Sequence, residues 1–440
     1  MRITLWTCAL ALCASADAFA QQRDTVPRPD SAPADSIAKA KLDSAAAADS
    51  AFFAQQLQRG GNPADSARAA PAVGSTGPIN PRLLPDISAV GDLVGDLSPQ
   101  GSTQEDASRF GVREVELALQ AAVDPFFRGD VFLGISDLES ISIEQAYLTA
   151  TALPWGLEVR LGRFLEPVGK QNITHRHDLH TIEYPYVIQR FLGEEGLKGT
   201  GVWASKIFAP FGFYQELQLT AVDRLGEAPE GLTADVAPNK QLGGMGYTAR
   251  FRNYWDVSQA ANFEIAASAA TGRREQPVLM TTPDAAVNAI NARQTLVGAD
   301  LTYRWRPLQQ GLYKSFILQA EVMRQLNERM PAEVSVAEGG TRTTATYEGP
   351  TRDFTGAYAF ARYQLTQRLF LGSRYDWLQD PEAAGETLQA GSGYLEFFPS
   401  EFSKLVAGYE HVFREGDVGD TDRILLQASF ALGPHKPHPF

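Results

Sequence analysis

Cysteine is almost missing: the 440 residues contain two, Cys8 and Cys13. Both lie at the N-terminus, where Arg2 precedes the apolar run ITLWTCALALC and the small residues Ala18 and Ala20 suit a signal-peptidase cut before Gln21. Residues 1–20 therefore read as a signal peptide, and the mature chain is expected to have no thiol, disulfide or cysteine-based metal or redox chemistry. Leu12, ahead of Cys13, argues against a lipoprotein signal. Beyond the signal no apolar run reaches the roughly 18 residues that would span a bilayer as a helix. A Gly-x-Ser-x-Gly elbow, a His-Glu-x-x-His helix and a phosphate loop are all lacking, so the chain reads as not an enzyme. It is acidic, with formal net charge -13, and no nucleic-acid partner is expected.

Residues 21–82 are rich in Ala, Asp, Ser and Pro and have no sustained apolar period. Such a stretch buries too little surface to offset its ordering entropy, so it is expected to be a disordered periplasmic leader. From residue 83 to 440 the pattern changes. About sixteen segments of roughly ten residues alternate small or apolar side chains with polar ones. In VGADLTYRWR, Ala299, Leu301, Tyr303 and Trp305 oppose Asp300, Thr302, Arg304 and Arg306. In EVELALQAAV, Val115, Leu117 and Leu119 oppose Glu114, Glu116 and Gln120, and in GLEVRLG, Leu157, Val159 and Leu161 oppose Glu158 and Arg160.

A soluble sandwich would also alternate in this way, but two features favour a membrane barrel. The strand number is large and even, and short connections such as LPWG, PFGF and TQR alternate with long ones. The expected fold is all-β, a transmembrane antiparallel β-barrel of about 16 strands in the outer membrane of a Gram-negative bacterium. Trp155, Trp305, Trp377 and Phe398, near strand ends, suit interfacial girdles. With the N-terminus periplasmic, residues 165–198 form the third external loop, and a lumen enclosed by this many strands is expected to be water-filled.

At this point the chain resembles the general and substrate-selective porins, in which the third external loop folds inward and narrows the channel. The stretch SIEQAYLTATALPWGLEVRLGRFLEPVGKQN is more specifically similar to the phosphate-selective porin O and P group and its uncharacterised relatives, through Glu144, Tyr147, Gly162, Arg163, Phe164, Pro167 and Gly169. The following EYPYVIQRFLGEEGLKGTGV and the ending LGPHKPHPF are similar to those relatives too, some of which are described as zinc-regulated outer-membrane receptors. The resemblance implies a passive channel for small hydrophilic or ionic solutes, an environment of outer-membrane lipid and lipopolysaccharide, and a homotrimer. Phosphate selectivity does not carry over. In that group it goes with an arginine ladder, whereas here Arg160, Arg250, Arg252, Arg304, Arg306 and Arg374 interleave with Glu116, Glu158, Asp300, Glu321 and Asp376 as expected lumen-lining residues. A mixed lumen of this kind sets a transverse field.

The expected constriction residues are Lys170, Arg176, Asp178, Arg190, Glu194, Glu195 and Lys198. The same loop holds His175, His177 and His180, three of the six histidines. Imidazole beside carboxylate suits zinc, so an alternative reading is a zinc-associated receptor that captures the ion on this loop. Spacing in a loop does not make ligands converge, and the leading expectation is no cofactor, with the loop lining the constriction. A third reading is an adhesive barrel with a filled lumen.

Overall fold

The computed structural model describes residues 85–104, 107–136, 141–226, 244–277, 286–327, 332–338, 341–347, 353–381, 386–414 and 419–433. The expected signal peptide and leader, and the tail with His435, His438 and Phe440, lie outside the described residues. The strands are β1 (Asp86–Asp96), β2 (Phe110–Ala122), β3 (Phe127–Ile135), β4 (Ser142–Ala150), β5 (Leu157–Leu165), β6 (Lys198–Phe208), β7 (Tyr214–Val222), β8 (Gly246–Ser258) and β9 (Ala261–Pro277). They continue with β10 (Ala286–Trp305), β11 (Phe316–Asn327), β12 (Ala332–Glu338), β13 (Thr341–Tyr347), β14 (Phe354–Gln364), β15 (Leu369–Gln379), β16 (Thr387–Ser400), β17 (Ser403–Arg414) and β18 (Thr421–Leu432). No helix among the described residues is long and apolar enough to cross a membrane.

Successive strands pair antiparallel, and β1 pairs with β18 from Ala89↔Leu432 to Asp96↔Leu425, which closes the sheet. The exception is β12 and β13. These two pair with each other, while β11 bypasses them to pair with β14. β12 instead pairs with the start of β10, at Ala286↔Ala337 to Ala289↔Val334, beyond the point where β10 leaves β11. The result is a closed barrel of sixteen strands with a hairpin extending one part of its rim. Residues 327–353 are one of the long connections expected from the sequence. Their alternating VSVAE and TRTTATY around Gly339-Gly340 are a hairpin signature.

The two faces of the wall are inverted relative to a soluble protein. On β15, Arg374 and Asp376 point inward and are buried, while Leu371 and Tyr375 point outward and are exposed. The same holds for Glu216 and Thr220 against Leu217 and Leu219 on β7, and for Glu321 against Val322 on β11. Exposed aromatics gather where strands turn at the end with short connections: Phe126, Trp155, Phe211, Tyr313 and Phe402. Phe398, assigned to that girdle from the sequence, is buried instead. It packs edge-on against Phe370, whose face carries the Arg362 guanidinium at 3.7 Å.

The connection between β5 and β6, residues 166–197, contains the one helix of more than a single turn among the described residues, α1 (Tyr186–Leu192). Pro185 fixes its entry and Gly193, at φ 110°, ends it. Its Val187, Ile188, Phe191 and Leu192 are buried with Leu179, Tyr184 and Leu197 of the same segment. They join Leu296, Met323, Phe354, Leu378, Leu388 and Val412 from the wall in one apolar cluster. The expectation of a wholly water-filled lumen is therefore corrected on this side: inward positions near the long-loop end are apolar, and the segment packs on them.

Candidate functional site

Segment 166–197 is tied to the inward face of the barrel around much of its circumference. Gly169 N donates to Ser268 Oγ on β9 at 3.1 Å, and Lys170 N and Gln171 N donate to the Glu321 carboxylate on β11 at 3.1 and 2.7 Å. Tyr186 N donates to Asp376 on β15 at 3.0 Å and Tyr186 OH to Glu410 on β17 at 2.9 Å. Lys404 Nζ reaches the carbonyls of His177 and Leu179 at 2.6 and 2.9 Å, and Arg374 reaches the Glu183 carbonyl at 2.7 Å. Glu183 lies 3.6 Å from Arg113 and 3.5 Å from Arg423. Burial works against its charge, but Arg113, Arg423, Arg176 and Arg374 outweigh that and hold it below the usual carboxylate range.

The Pro167-x-Gly169 motif has a physical reason here. Gly169 sits at φ +67°, and a Cβ there would meet Glu321 Oε2 at 2.2 Å. Only glycine allows the backbone to approach this wall carboxylate so closely.

The residues expected in the constriction are dispersed along the segment. Lys170 pairs with Glu264 at 2.8 Å, and Arg176 donates to the Glu194 carbonyl at 2.9 Å. Arg190 Nε lies 3.7 Å from Asp380, and Lys198 lies 2.5 Å from Glu195. Lys198 and Leu165 belong to β6 and β5, so the connection is 166–197 rather than 165–198. Asp178 lines two of the cavities described below.

The residues expected along the lumen are mostly held in ion pairs. Arg250 contacts Asp300 at 2.9 Å, and Arg374 contacts Asp376 at 2.6 Å. Glu264, which the sequence reading did not single out, is approached by Lys170, by Arg252 at 2.9 Å and by Arg304 at 3.4 Å. Arg160 pairs with Glu158 and lies 4.2 Å from the Trp203 ring centroid, while Arg306 turns to the Gly311 carbonyl at the barrel rim.

The three histidines separate. His175 Nδ1 is 2.6 Å from Glu116 Oε2, and its Nε2 is 2.9 Å from Gln145 Nε2. His177 Nδ1 is 3.8 Å from the same Glu116 oxygen, and its Nε2 is 3.7 Å from Asp178. His180 does not join them. It stacks on Phe360 with ring centroids 6.0 Å apart, and burial, helped by Arg362 and Lys404, pushes its pKa well below the ordinary histidine value. The set His175, His177 and His180 is thus corrected to Glu116, His175 and His177, whose donor atoms lie within 4.8 Å of one another. Burial opposes protonation of His175, but the hydrogen bond and charge of Glu116, with Glu144 and Asp178, raise its pKa overall.

Two β-bulges bring further charges to this corner. Asp92 pairs with Glu114 and Leu93 with Val112, so Arg113 is the extra residue on β2; likewise Glu144 is the extra residue on β4, between Gln145 and Ile143. A bulge re-aims a side chain that strict alternation would send outward. Arg113 consequently bonds Asp92, and Glu144 stands 3.8 Å from His175 in a second carboxylate group with Glu114 and Glu116. Simple alternation could not have found these two.

Three cavities border the segment. One of about 840 Å³ opens toward the β4–β5 turn, between Glu116, Gln145, Glu158, Arg160 and Arg252. A second, of about 600 Å³, faces Lys170, Arg304, Arg306, Arg362 and Arg374. A third, of about 50 Å³, lies toward the β3–β4 connection among Arg113, Glu114, Glu144, Arg176 and Lys198. His175 lines all three.

No family model matches the chain. An uncharacterised protein of Aquifex aeolicus (strain VF5) is 26% identical over 353 residues, covering 75% of this chain and 70% of that one. Among solved structures, the chain is similar to the outer-membrane channel DcaP of Acinetobacter baumannii, at 11% identity over 80% of this chain and 97% of that one, TM-score 0.49. It is also similar to the trimer form of OmpT, an outer membrane protein of Vibrio cholerae, at 10% identity over 79% and 99%, TM-score 0.48. An anion-selective porin from Comamonas acidovorans gives 10% identity over 80% and 98%, TM-score 0.47. The barrel assignment rests on the strand register, which stands apart from these likenesses.

Proposed function

We propose that the protein is an outer-membrane channel that passes small hydrophilic or ionic solutes by diffusion, with segment 166–197 setting its narrowest point. The observation that carries this reading is the inverted wall of a closed barrel. Charged and amide side chains fill the inner face, while aliphatic and aromatic side chains stand exposed on the outer face. Lipid outside and water inside is the arrangement in which both faces are solvated favourably.

The passage follows the β2–β6 wall, because the opposite side is filled by the apolar cluster around α1. The small cavity at Glu114, Glu144, Arg176 and Lys198 is its neck, and the large cavity below His175 is its vestibule. A neck of about 50 Å³ holds only a few waters, so ions and very small solutes fit this form. Arg113 is paired with Asp92, Glu114 shares a proton with Glu144, and Arg176 and Lys198 face Glu144 and Glu195, so the neck is close to balanced, which favours weak ion selectivity.

Planar-bilayer recording of the refolded full chain tests the proposal. Steady ohmic steps are expected, with a reversal potential near zero under a salt gradient. Replacing Glu144 with Gln should shift that potential toward anion preference, because one neck carboxylate is removed. Folded, heat-modifiable protein that never conducts would mean a filled barrel and would overturn the channel reading.

A further inference from the structure

We propose that Glu116, His175 and His177 form a binding site for a divalent transition-metal ion, zinc being the probe of choice, and that the bound ion clamps the loop to the barrel wall at the neck of the passage. The clamping half of this proposal rests on the channel reading; the binding half does not.

The donor set argues for the class of metal. Two imidazoles and one carboxylate suit zinc and its borderline neighbours, whereas calcium and magnesium prefer all-oxygen shells. The three donor atoms already lie within 4.8 Å of one another. Zinc at about 2.0–2.2 Å from each would place them roughly 3.3–3.6 Å apart in a tetrahedron. The 2.6 Å contact between His175 Nδ1 and Glu116 must open by less than an ångström, and the 3.8 Å contact from His177 must close by a few tenths. The ion takes the position of the proton between His175 Nδ1 and Glu116, and that proton leaves to solvent.

The surroundings support the same class. Asp178 lies 3.7 Å from His177 Nε2, the nitrogen that would not bind the ion, where a carboxylate can orient a ligating imidazole. Gln145 contacts the outer nitrogen of His175, and turning its amide would present the oxygen to that N–H. The independent observation is at Glu114. Its side chain shares a hydrogen-bonded proton with Glu144, while its Oε1 is buried without a hydrogen-bond partner, and the oxygens of Glu114, Glu116 and Glu144 lie within 4.8 Å of one another. Glu116 and the proton-sharing pair of Glu114 and Glu144 leave net negative charge beside two imidazoles, which attracts a cation, and Glu144, 3.8 Å from His175 Nδ1, is placed to fill a fourth position.

The consequence for passage follows from placement. Glu116 is on the wall, in β2, while His175 and His177 are on the segment. His175 borders all three cavities, so an ion that joins it to Glu116 fixes a side chain shared by neck and vestibule.

The test uses the tag-free full chain, refolded and shown to be heat-modifiable, in two measurements. Isothermal titration with zinc should give one site per chain. Glu116→Gln and His177→Gln should each weaken it tenfold or more. His180→Ala, and the double change His435→Ala with His438→Ala, should leave it intact. In planar bilayers, zinc should lower the single-channel conductance of the natural chain, reversibly on chelation, but leave that of His177→Gln unchanged. If Glu116→Gln fails to fold, His177→Gln alone carries the result, since its backbone anchor to Lys404 is retained. A folded, conducting chain that binds no zinc, or one whose binding survives both ligand changes, overturns the site. Binding without any conductance, even before zinc is added, supports the site and overturns the channel reading instead. Binding that leaves conductance unchanged overturns the clamp.

Discussion

His180 and Glu183 titrate in different windows although they are three residues apart. The folded pKa of His180 lies well below its unfolded value of about 6.5, because its ring is buried on Phe360 near Arg362 and Lys404. The unfolded chain therefore binds the proton first, and stability present above about pH 6.5 is lost as pH falls below it. His175 has the opposite sign: its pKa is raised, so its contribution is present below about 6.5 and is lost as pH rises through the folded value. The two act on opposite sides of about pH 6.5, so a comparison between pH 7 and 5 reads mainly the His180 side. His180→Phe keeps a ring on Phe360 and removes one titration, so its unfolding midpoint should gain on the natural chain as pH falls from 7 to 5. Unfolding curves across that range check this, and parallel curves for the two proteins would refute the buried neutral histidine. Glu183 acts lower. Its pKa is depressed by Arg113 and Arg423, so its contribution is present above about pH 4.3 and disappears as pH falls through the lower folded value.

At the scale of the element, segment 166–197 is a folded unit whose anchors are part apolar and part polar. Phe191 is fully buried in the cluster inside the barrel, and truncating such a side chain costs about 3–5 kcal/mol when the surroundings cannot close the gap. Phe191→Ala should lower denaturant stability by roughly that amount and increase open-channel noise. Gly169→Ala attacks the other end of the segment. It forces an L-residue to φ +67° and drives a methyl into the Glu321 carboxylate, so a loss of at least about 1–2 kcal/mol is expected in the same unfolding measurement. The sequence showed this segment incompletely. Its charges and histidines were visible, but the partners that order them, Glu264, Glu321, Lys404 and Glu410, come from strands 94 to 227 residues away or are joined through bulges at Arg113 and Glu144 that no period reveals. The apolar YPYVIQRFLG was equally visible; its burial depended on Phe354, Leu378, Leu388 and Val412 sharing the inward phase with charged neighbours.

Across the whole molecule, the closed barrel was legible because alternation and connection length repeat many times, and an error in one strand does not alter the count. Where the repeat breaks, legibility ends: the hairpin of β12 and β13 was absorbed into a loop, and Phe398 was sent to the wrong face. The outer face gives the discriminating prediction. Val322 on β11 is 47% exposed and is flanked across its two ladders by Ala299 and Ala357. In a soluble protein, an exposed valine of this kind accepts arginine with a change within about ±0.5 kcal/mol. On a lipid-facing wall the same charge costs about 2–4 kcal/mol near the midplane and about 0–1 near the interface. Val322→Arg should therefore destabilise the barrel by a few kcal/mol in lipid vesicles. The inward Gln218→Arg on β7 should cost less, because that position borders the large cavity beside the Glu216 carboxylate. Equal and negligible effects at both positions would show that the outer face does not meet hydrocarbon, and the membrane assignment would fall with it.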